Sequence, residues 1–283
     1  MQPSYVSTEP RLDGFGAQFQ NIVFDILFTC TMTPHVHYVF PSNIDRMKFE
    51  HNYTNDPGFS DRLIRCMNLD THFLKKDETA PIRRYNGIDN YAFCEANLTR
   101  LLETAVFKRV QRLFFEGKHT PYDAAFYNVA VHVRKYSPDD MRIHRRKNES
   151  DSYYIGIMRF ITANYKGHKP IRFHIYSQGN VRTEFAEYTK YSPTTVVMHL
   201  NESVEDTFNG LVFADALVTS ASSFSYVAAM LTRGTVFYKK FWHKPSMRWF
   251  VGDDLITTTN TTNTTKRNAM PTGTHYMMRM RLT

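Results

Sequence analysis

The second half of the chain alternates between two hydrophobic periods. From Tyr127 to Arg134 every second residue is apolar, with Val129, Val131 and Val133 on one face, and this period of two predicts a β-strand. The same reasoning predicts strands at 171–176, 195–199, 216–219 and 235–239, separated by helices at 152–164, 181–189, 204–214 and 222–232. Strands that alternate with helices predict right-handed βαβ units and a parallel sheet.

The first half is less regular. A glycine turn at 13–16 opens a predicted helix that runs to residue 31, and residues 35–40 predict a strand stopped by Pro41. We expect an irregular segment at 41–90 with a short helix at 60–67, and one long helix at 91–116. A polar break near 118–125 indicates a domain boundary.

The predicted fold class is therefore α/β, with two Rossmann-like domains whose parallel sheets face a cleft. We place an N-terminal, acceptor-side domain at residues 1–120 and a C-terminal, nucleotide-sugar-binding domain at 121–250. Residues 251–283 form a Thr/Asn-rich linker and tail. In such sheets ligands bind at the carboxyl ends of the strands, so the residues that follow each strand are the first candidates for a site.

Charge narrows the choice of partner. Among 283 residues there are 35 Lys and Arg against 27 Asp and Glu, a net charge of +8, which favours an anionic partner. No stretch reaches about 18 uninterrupted apolar residues, so we expect no membrane span. The three cysteines are far apart and lack a Cys-x-x-Cys pair, which predicts free buried thiols. With a polar N-terminus, this favours a cytoplasmic protein.

The first candidate site is the strand end His132-Val-Arg134. Strand alternation places both side chains on the face opposite the valines, at the carboxyl end where a ligand would bind. An Arg there can donate two hydrogen bonds to a phosphate, and a His can add another. A His that hydrogen-bonds to the backbone and an Arg in a surface ion pair would give the same sequence pattern. The spacing therefore leaves both the functional and the structural interpretation open.

The second candidate is the hydroxyl-rich segment Ser222-Ser-Phe-Ser225, which follows a short apolar strand and starts an Ala-rich helix. Free amides and the positive end of the helix dipole lie at a helix start, so these residues predict a diphosphate cradle. An ordinary serine N-cap is the alternative, but it requires one serine rather than three.

Weaker candidates lie at two other strand ends and in one loop. Tyr176 and Ser177 end one predicted strand and His199 ends another, where a nucleobase and ribose would lie, although Tyr176 could equally be core. The basic loop 142–147 could close over phosphates, remain a solvated loop or contact nucleic acid.

In the first half, the turn Asp13-Gly14-Phe-Gly16 carries the acceptor-side candidates. The glycines permit close backbone approach to a ligand, and Asp13 is the candidate base for an acceptor hydroxyl. A turn aspartate that caps the following helix is the competing interpretation. The chain contains no Asp-x-Asp motif, so we expect neither a metal nor a cofactor, with charge neutralised by Arg and the helix dipole.

Together these motifs resemble the GT-B superfamily of fucosyltransferase-type glycosyltransferases. The matching segments are Gly14-Phe-Gly-Ala-Gln18, His132-Val-Arg134 and Ser220-Ala-Ser-Ser-Phe-Ser225, in the family's order over most of residues 12–240. The resemblance implies inverting sugar transfer, with Arg134 and the serines on the diphosphate of a nucleotide-sugar. It also implies a carboxylate base before a Gly-Phe pair, which matches Asp13.

One departure bears on the donor. The family has a second Arg after the strand-end Arg, and this chain has Lys135, which disfavours the usual GDP-fucose. The chain also resembles glycosyltransferases of large algal viruses, which implies UDP-xylose as donor and a fucose on a capsid-protein glycan as acceptor. Three alternatives stay open: a GDP-fucose-dependent fucosyltransferase, a non-catalytic glycan-binding module, and a nucleic-acid binder that uses the 142–147 loop.

Overall fold

The computed structural model describes residues 4–52, 55–86, 90–135, 150–191 and 195–256, excluding the side chain of Arg182. The basic loop 142–147 and most of the Thr/Asn-rich tail lie outside these residues, so the predictions made for them stay predictions.

A small parallel sheet organises the first unit. Its order is β2-β1-β3, and β1 lies in the centre because both neighbours pair with it. The three strands are β1 (Ser4–Thr8), β2 (Val36–Tyr38) and β3 (Ile82–Tyr85). The sequence pattern predicted only β2, because β1 lies within a polar start, while β3 carries two exposed arginines within the segment predicted to be irregular.

A larger sheet of six parallel strands organises the second unit. Its order is β6-β5-β4-β7-β8-β9, so the chain winds outward from β4 in both directions, as in doubly wound dinucleotide-binding folds. The strands are β4 (Tyr127–His132), β5 (Ile171–Ser177), β6 (Val196–Leu200), β7 (Ala216–Val218), β8 (Thr235–Tyr238) and β9 (Phe250–Val251). The predicted fold class, α/β with two parallel sheets facing a cleft, is confirmed; the domain boundaries stay predictions.

Helices cover the sheets, and two predicted helices prove to be interrupted. The residues of the predicted long helix 91–116 form α3, α4 and α5, because the chain leaves helical geometry at Asn97 and Thr104 then caps a new helix. The predicted helix 181–189 divides at Phe185 into α7 and α8. The helices are α1 (Phe15–Met32), α2 (Phe59–Met67), α3 (Tyr91–Ala96), α4 (Leu98–Leu101), α5 (Ala105–Phe115), α6 (Asp151–Asn164), α7 (Val181–Glu184), α8 (Ala186–Tyr191), α9 (Val204–Phe213) and α10 (Ser223–Leu231), with a 3₁₀ turn at Pro41–Asn43.

The two faces of the larger sheet have separate cores. Val129, Val131 and Val133 pack with α6 and α8 on one face, as the strand alternation predicts. On the other face Ala130 belongs to a cluster that also contains residues of α1, α9, α10 and the small sheet. The first unit is therefore packed against the second through a shared apolar core.

None of the helices within the described ranges is long and apolar enough to cross a membrane. The three cysteines are free thiols; Cys66 and Cys94 are buried as predicted, but Cys30 is exposed, because it lies near the end of α1 on its outer side.

Gly16 marks the point where α1 meets the start of α10. A Cβ placed on Gly16 would lie 2.3 Å from Cα and 2.4 Å from N of Phe224. The backbone of α1 at Gly16 is therefore in direct contact with the backbone of α10 at Phe224. We therefore expect Gly16→Ala to cost about 1–3 kcal/mol or more of unfolding free energy, since overpacking outweighs the better helix propensity of alanine.

Denaturant unfolding measures this effect, with Gly58→Ala as the control. Gly58 is also a helix-start glycine with negative φ, but the nearest atom to its added Cβ is 3.4 Å away on a flexible side chain. Because Gly58 is the N-cap of α2, where alanine is less favourable than glycine, the control should cost about 0.5–1 kcal/mol, less than Gly16→Ala. Equal stability of the two variants would contradict the close contact at Gly16.

Candidate active site at the strand switch point

The two halves of the large sheet diverge between β4 and β7, where the strand order reverses. A pocket of about 110 Å³ lies in this crevice, at the carboxyl ends of β4 and β5. This volume is below the roughly 300–1,000 Å³ of typical small-molecule sites, so the described residues account for part of a ligand site. The lining residues are Phe15, Glu50, His51, Phe59, His132, Val133, Arg134, Lys135, Ser177, Gln178, Glu202, Val204, Thr207 and Phe224.

His132 is the last residue of β4 and is 6% exposed. Its Nδ1 atom lies 2.8 Å from Oγ of Ser220, and burial, aided by nearby Arg134, lowers the pKa of the imidazole to about 3. The ring is therefore neutral at neutral pH. With Ser220 donating its hydroxyl proton to Nδ1, the Nε2 atom carries the ring proton and can donate to a ligand.

The cationic wall of the pocket consists of Arg134 and Lys135, which directly follow the strand end. Lys135 is largely enclosed and its Nζ atom lies 3.1 Å from Oδ1 of Asp151, at the start of α6. The positive charge of Lys135 is therefore paired with the carboxylate of Asp151. Arg134 also lines the pocket, and a guanidinium can bind a phosphate through two hydrogen bonds.

The serines at the start of α10 serve mainly to build the turn. Ser225 is fully buried; its Oγ accepts from the amide of Ser220 (3.1 Å) and donates to the carbonyl of Ser220 (3.2 Å). Ser222 is the N-cap and accepts from the amide of Phe224 at 3.2 Å. Ser225 is therefore directed into the protein, and Phe224 is the residue of this segment that lines the pocket.

Part of the pocket lining comes from the first unit. Glu50 and His51 line the pocket, and His51 has φ 72°, a left-handed conformation that costs strain in a residue other than glycine. Asp13 is bridged to this segment: its carbonyl accepts from the amide of Glu50 at 3.0 Å, and its Oδ1 accepts from the amide of Gly14 at 2.8 Å. Asp13 itself is not among the lining residues. Gly14 faces the His51 ring.

Glu202, another residue of the pocket lining, is the end of a chain of hydrogen-bonded side chains. His199 Nδ1 lies 2.7 Å from Oε1 of Glu202, and His199 Nε2 lies 2.9 Å from Nδ1 of His174. Tyr176 stacks on His199 with ring centroids 4.4 Å apart, but it is 2% exposed and its hydroxyl bonds to Tyr122 at 2.9 Å. Tyr176 is therefore a core residue, which is the second of the two interpretations that the sequence allowed for it.

The structure thus brings together part of the predicted site. His132, Arg134, Ser177 and Phe224 meet in one pocket. The predicted residues that do not line it are Asp13, Gly14, Gly16, Tyr176, His199, Ser222, Ser223 and Ser225. Glu202 was missed, although its place just after a strand could have identified it. Glu50 and His51 were also missed, because no periodic signal marks their segment.

A larger cavity of about 1290 Å³ lies at the opposite, amino-terminal edge of the large sheet. Its lining includes the starts of β4 and β8, at Tyr127 and Thr235. Ligands of doubly wound sheets bind at the carboxyl edge, so the smaller pocket is the better candidate. Within the described ranges no group of three or more His, Cys, Asp or Glu is arranged to hold a metal ion; metal independence stays a prediction.

No family model matches the chain, and no curated protein matches it by sequence. Solved structures with a similar course of the chain include the fucosyltransferase NodZ from Bradyrhizobium (11% identity, 86% of this chain and 97% of that chain, TM-score 0.45). Others are POFUT1 in complex with GDP (10%, 83% and 97%, 0.42) and Arabidopsis thaliana FUT1 in complex with GDP (11%, 88% and 72%, 0.42). TM-scores below 0.5 are too low to assign a function to this chain.

Proposed function

We propose that this protein is an inverting glycosyltransferase that moves a sugar from a nucleotide-sugar to a hydroxyl of a glycan acceptor. The observation that carries the proposal is the pocket at the switch point, whose lining combines Arg134 and the neutral His132 with a carboxylate of the first unit, Glu50. A pocket lined by both a cation and a carboxylate suits a reaction that stabilises a leaving diphosphate and removes a proton.

In the proposed donor site, Arg134 binds the diphosphate through its guanidinium and His132 donates from Nε2. The start of α10 adds the positive end of the helix dipole beside Phe224. These groups stabilise the negative charge that develops on the leaving nucleoside diphosphate, so neither a metal nor a cofactor is part of the proposal.

The proposed chemistry is a single displacement. A lone pair of the acceptor hydroxyl oxygen forms the new bond to the anomeric carbon as the bond from that carbon to the diphosphate oxygen breaks. The hydroxyl proton passes to a carboxylate, and the configuration at the anomeric carbon inverts. Two carboxylates are candidates for the base: Asp13, predicted from the sequence, and Glu50, which lines the pocket.

For the donor we propose UDP-xylose, with a fucose residue of a glycan as the acceptor, and GDP-fucose is the alternative. The proposal is supported by Lys135, which stands where the resembling family has a second donor-binding arginine and which is engaged with Asp151. A viral capsid glycoprotein as the carrier of the acceptor rests only on the sequence resemblance.

A thermal-shift series with UDP, GDP, UDP-xylose and GDP-fucose tests the donor. A nucleotide present at about a hundred times its Kd adds roughly 2.7 kcal/mol, which corresponds to a Tm rise of about 5 °C or more for a chain of this size. We expect the uridine nucleotides to give the larger rise. A larger rise with GDP-fucose would identify the alternative donor, and no rise with any of the four would favour a non-catalytic glycan-binding module.

A further inference from the structure

Trp242 is an exposed aromatic residue in an unusual setting. It is 60% exposed, and it is the one aromatic among the strongly exposed large hydrophobic residues within the described ranges. The loop that carries it follows β8 and contacts the start of α10. Single exposed hydrophobic residues are common on protein surfaces, so the case for a ligand depends on how this indole is held.

The indole of Trp242 is held in place from below. Its ring centroid lies 3.5 Å from that of His243, whose side chain is fully buried and stacks on Tyr226 at 4.7 Å. His243 is fixed in turn at Nδ1 by Oε1 of Glu95 (2.5 Å). The outer face of Trp242 is therefore a preorganised platform, which reduces the entropy lost when a ligand binds.

Polar groups lie at the edge of this platform. The side chain of Glu95, which holds His243 beneath the indole, is 11% exposed. Tyr91 makes an edge contact with Trp242 at 5.9 Å, and its hydroxyl donates to Asn21. The exposed aromatic face of Trp242 matches a sugar ring, which has an apolar C–H face that stacks on aromatic side chains.

The platform adjoins the proposed active site. His243 Nε2 lies 3.4 Å from Oγ of Ser223, and the next residue, Phe224, lines the switch-point pocket. On the other side Asp13 is close enough to Tyr91 to raise, with burial as the larger cause, the pKa of its phenol. The platform thus lies on the same side of the molecule as the acceptor-side candidates.

We propose that the outer face of Trp242, with Glu95 and Tyr91 at its edge, binds a sugar ring of the glycan acceptor. The sugar-binding property stands on this geometry, whereas its role as an acceptor subsite rests on the proposed function.

Intrinsic fluorescence tests sugar binding without any activity. The chain has two tryptophans, so Trp249→Phe leaves Trp242 as the single reporter. Titration with methyl β-xyloside, methyl α-fucoside, methyl β-glucoside and N-acetylglucosamine should give a saturable change with at least one sugar. Trp242→Ala, which retains Trp249, should show none. A flat response of Trp242 to every sugar, or the same response in Trp242→Ala, would overturn the proposal.

Steady-state kinetics tests the acceptor role. Trp242→Ala should raise the acceptor KM by about tenfold or more with the donor KM unchanged, as expected for an aromatic residue that becomes covered by the bound acceptor. Met247→Ala is the matched control, because Met247 is an 80% exposed apolar residue in the same loop and should change neither KM. An unchanged acceptor KM in Trp242→Ala would reject the subsite, whereas absence of transfer by the wild type would reject the proposed function and leave the fluorescence result to decide sugar binding.

Discussion

Replacing Arg134 with alanine is expected to lower turnover at least about a hundredfold, the size of effect seen when a preorganised group that stabilises developing charge is removed. Arg134 lies at the carboxyl end of β4 and lines the switch-point pocket, while the neighbouring cation Lys135 is engaged with Asp151. The charge that develops on the leaving diphosphate would then lack its guanidinium. Transfer of radiolabelled sugar from the donor to an acceptor measures the effect.

Arg159→Ala is the matched control for this variant. Arg159 lies exposed on the outer side of α6, and its removal changes the net charge by the same amount without touching the pocket. The control should retain near-normal turnover. Similar losses in both variants would attribute the effect to overall charge, and a near-normal rate in Arg134→Ala would remove Arg134 from the reaction.

Glu50→Gln is expected to reduce turnover by about a hundredfold or more while nucleotide binding persists, because the amide cannot accept the acceptor proton. Glu50 lines the same pocket as Arg134, whereas Asp13 is not among the lining residues and accepts hydrogen bonds from the amides of Gly14 and Glu50. Single-turnover rates and nucleotide affinity, measured on the same preparations, separate loss of chemistry from loss of binding.

Asp13→Asn distinguishes the two carboxylates. If Glu50 is the base, Asp13→Asn should have a smaller effect than Glu50→Gln, since the amide oxygen can still accept the hydrogen bond from Gly14. A hundredfold loss in Asp13→Asn with a near-normal rate in Glu50→Gln would instead return the role to Asp13, as the sequence predicted.

In the second unit every strand except β9 could be predicted, because each carries a local pattern of apolar residues. The alternating valines of β4 mark one buried face, and the apolar run before Ser220 marks β7. β9 was missed because two residues carry too little pattern. In the first unit, β1 and β3 acquire their structure from pairing with each other, which no local pattern reports.

The site was predictable to the extent that topology determines it. The rule that ligands bind beyond the carboxyl ends of strands located His132 and Arg134 correctly at the pocket. The directions in which the side chains point were harder to predict from the sequence. Ser225 turns inward to fasten the loop before α10, and Gly16 allows α1 to rest on Phe224, a role that only the packing of two distant helices reveals.

The part of the pocket that is lined by the first unit could not be predicted from the sequence. Glu50 and His51 reach the pocket through the parallel bridge between Asp13 and Phe49, which joins segments far apart in sequence. Such a contact depends on how the two units pack, and the irregular composition of residues 41–58 gives no sign of it.

A crystal structure of the protein soaked with UDP or GDP tests the proposed site most directly. We expect the diphosphate in the switch-point pocket, with its oxygens about 3 Å from the guanidinium of Arg134 and beside the start of α10. A nucleotide bound instead in the 1290 Å³ cavity at the amino-terminal edge of the sheet, next to Tyr127 and Arg233, would contradict the account.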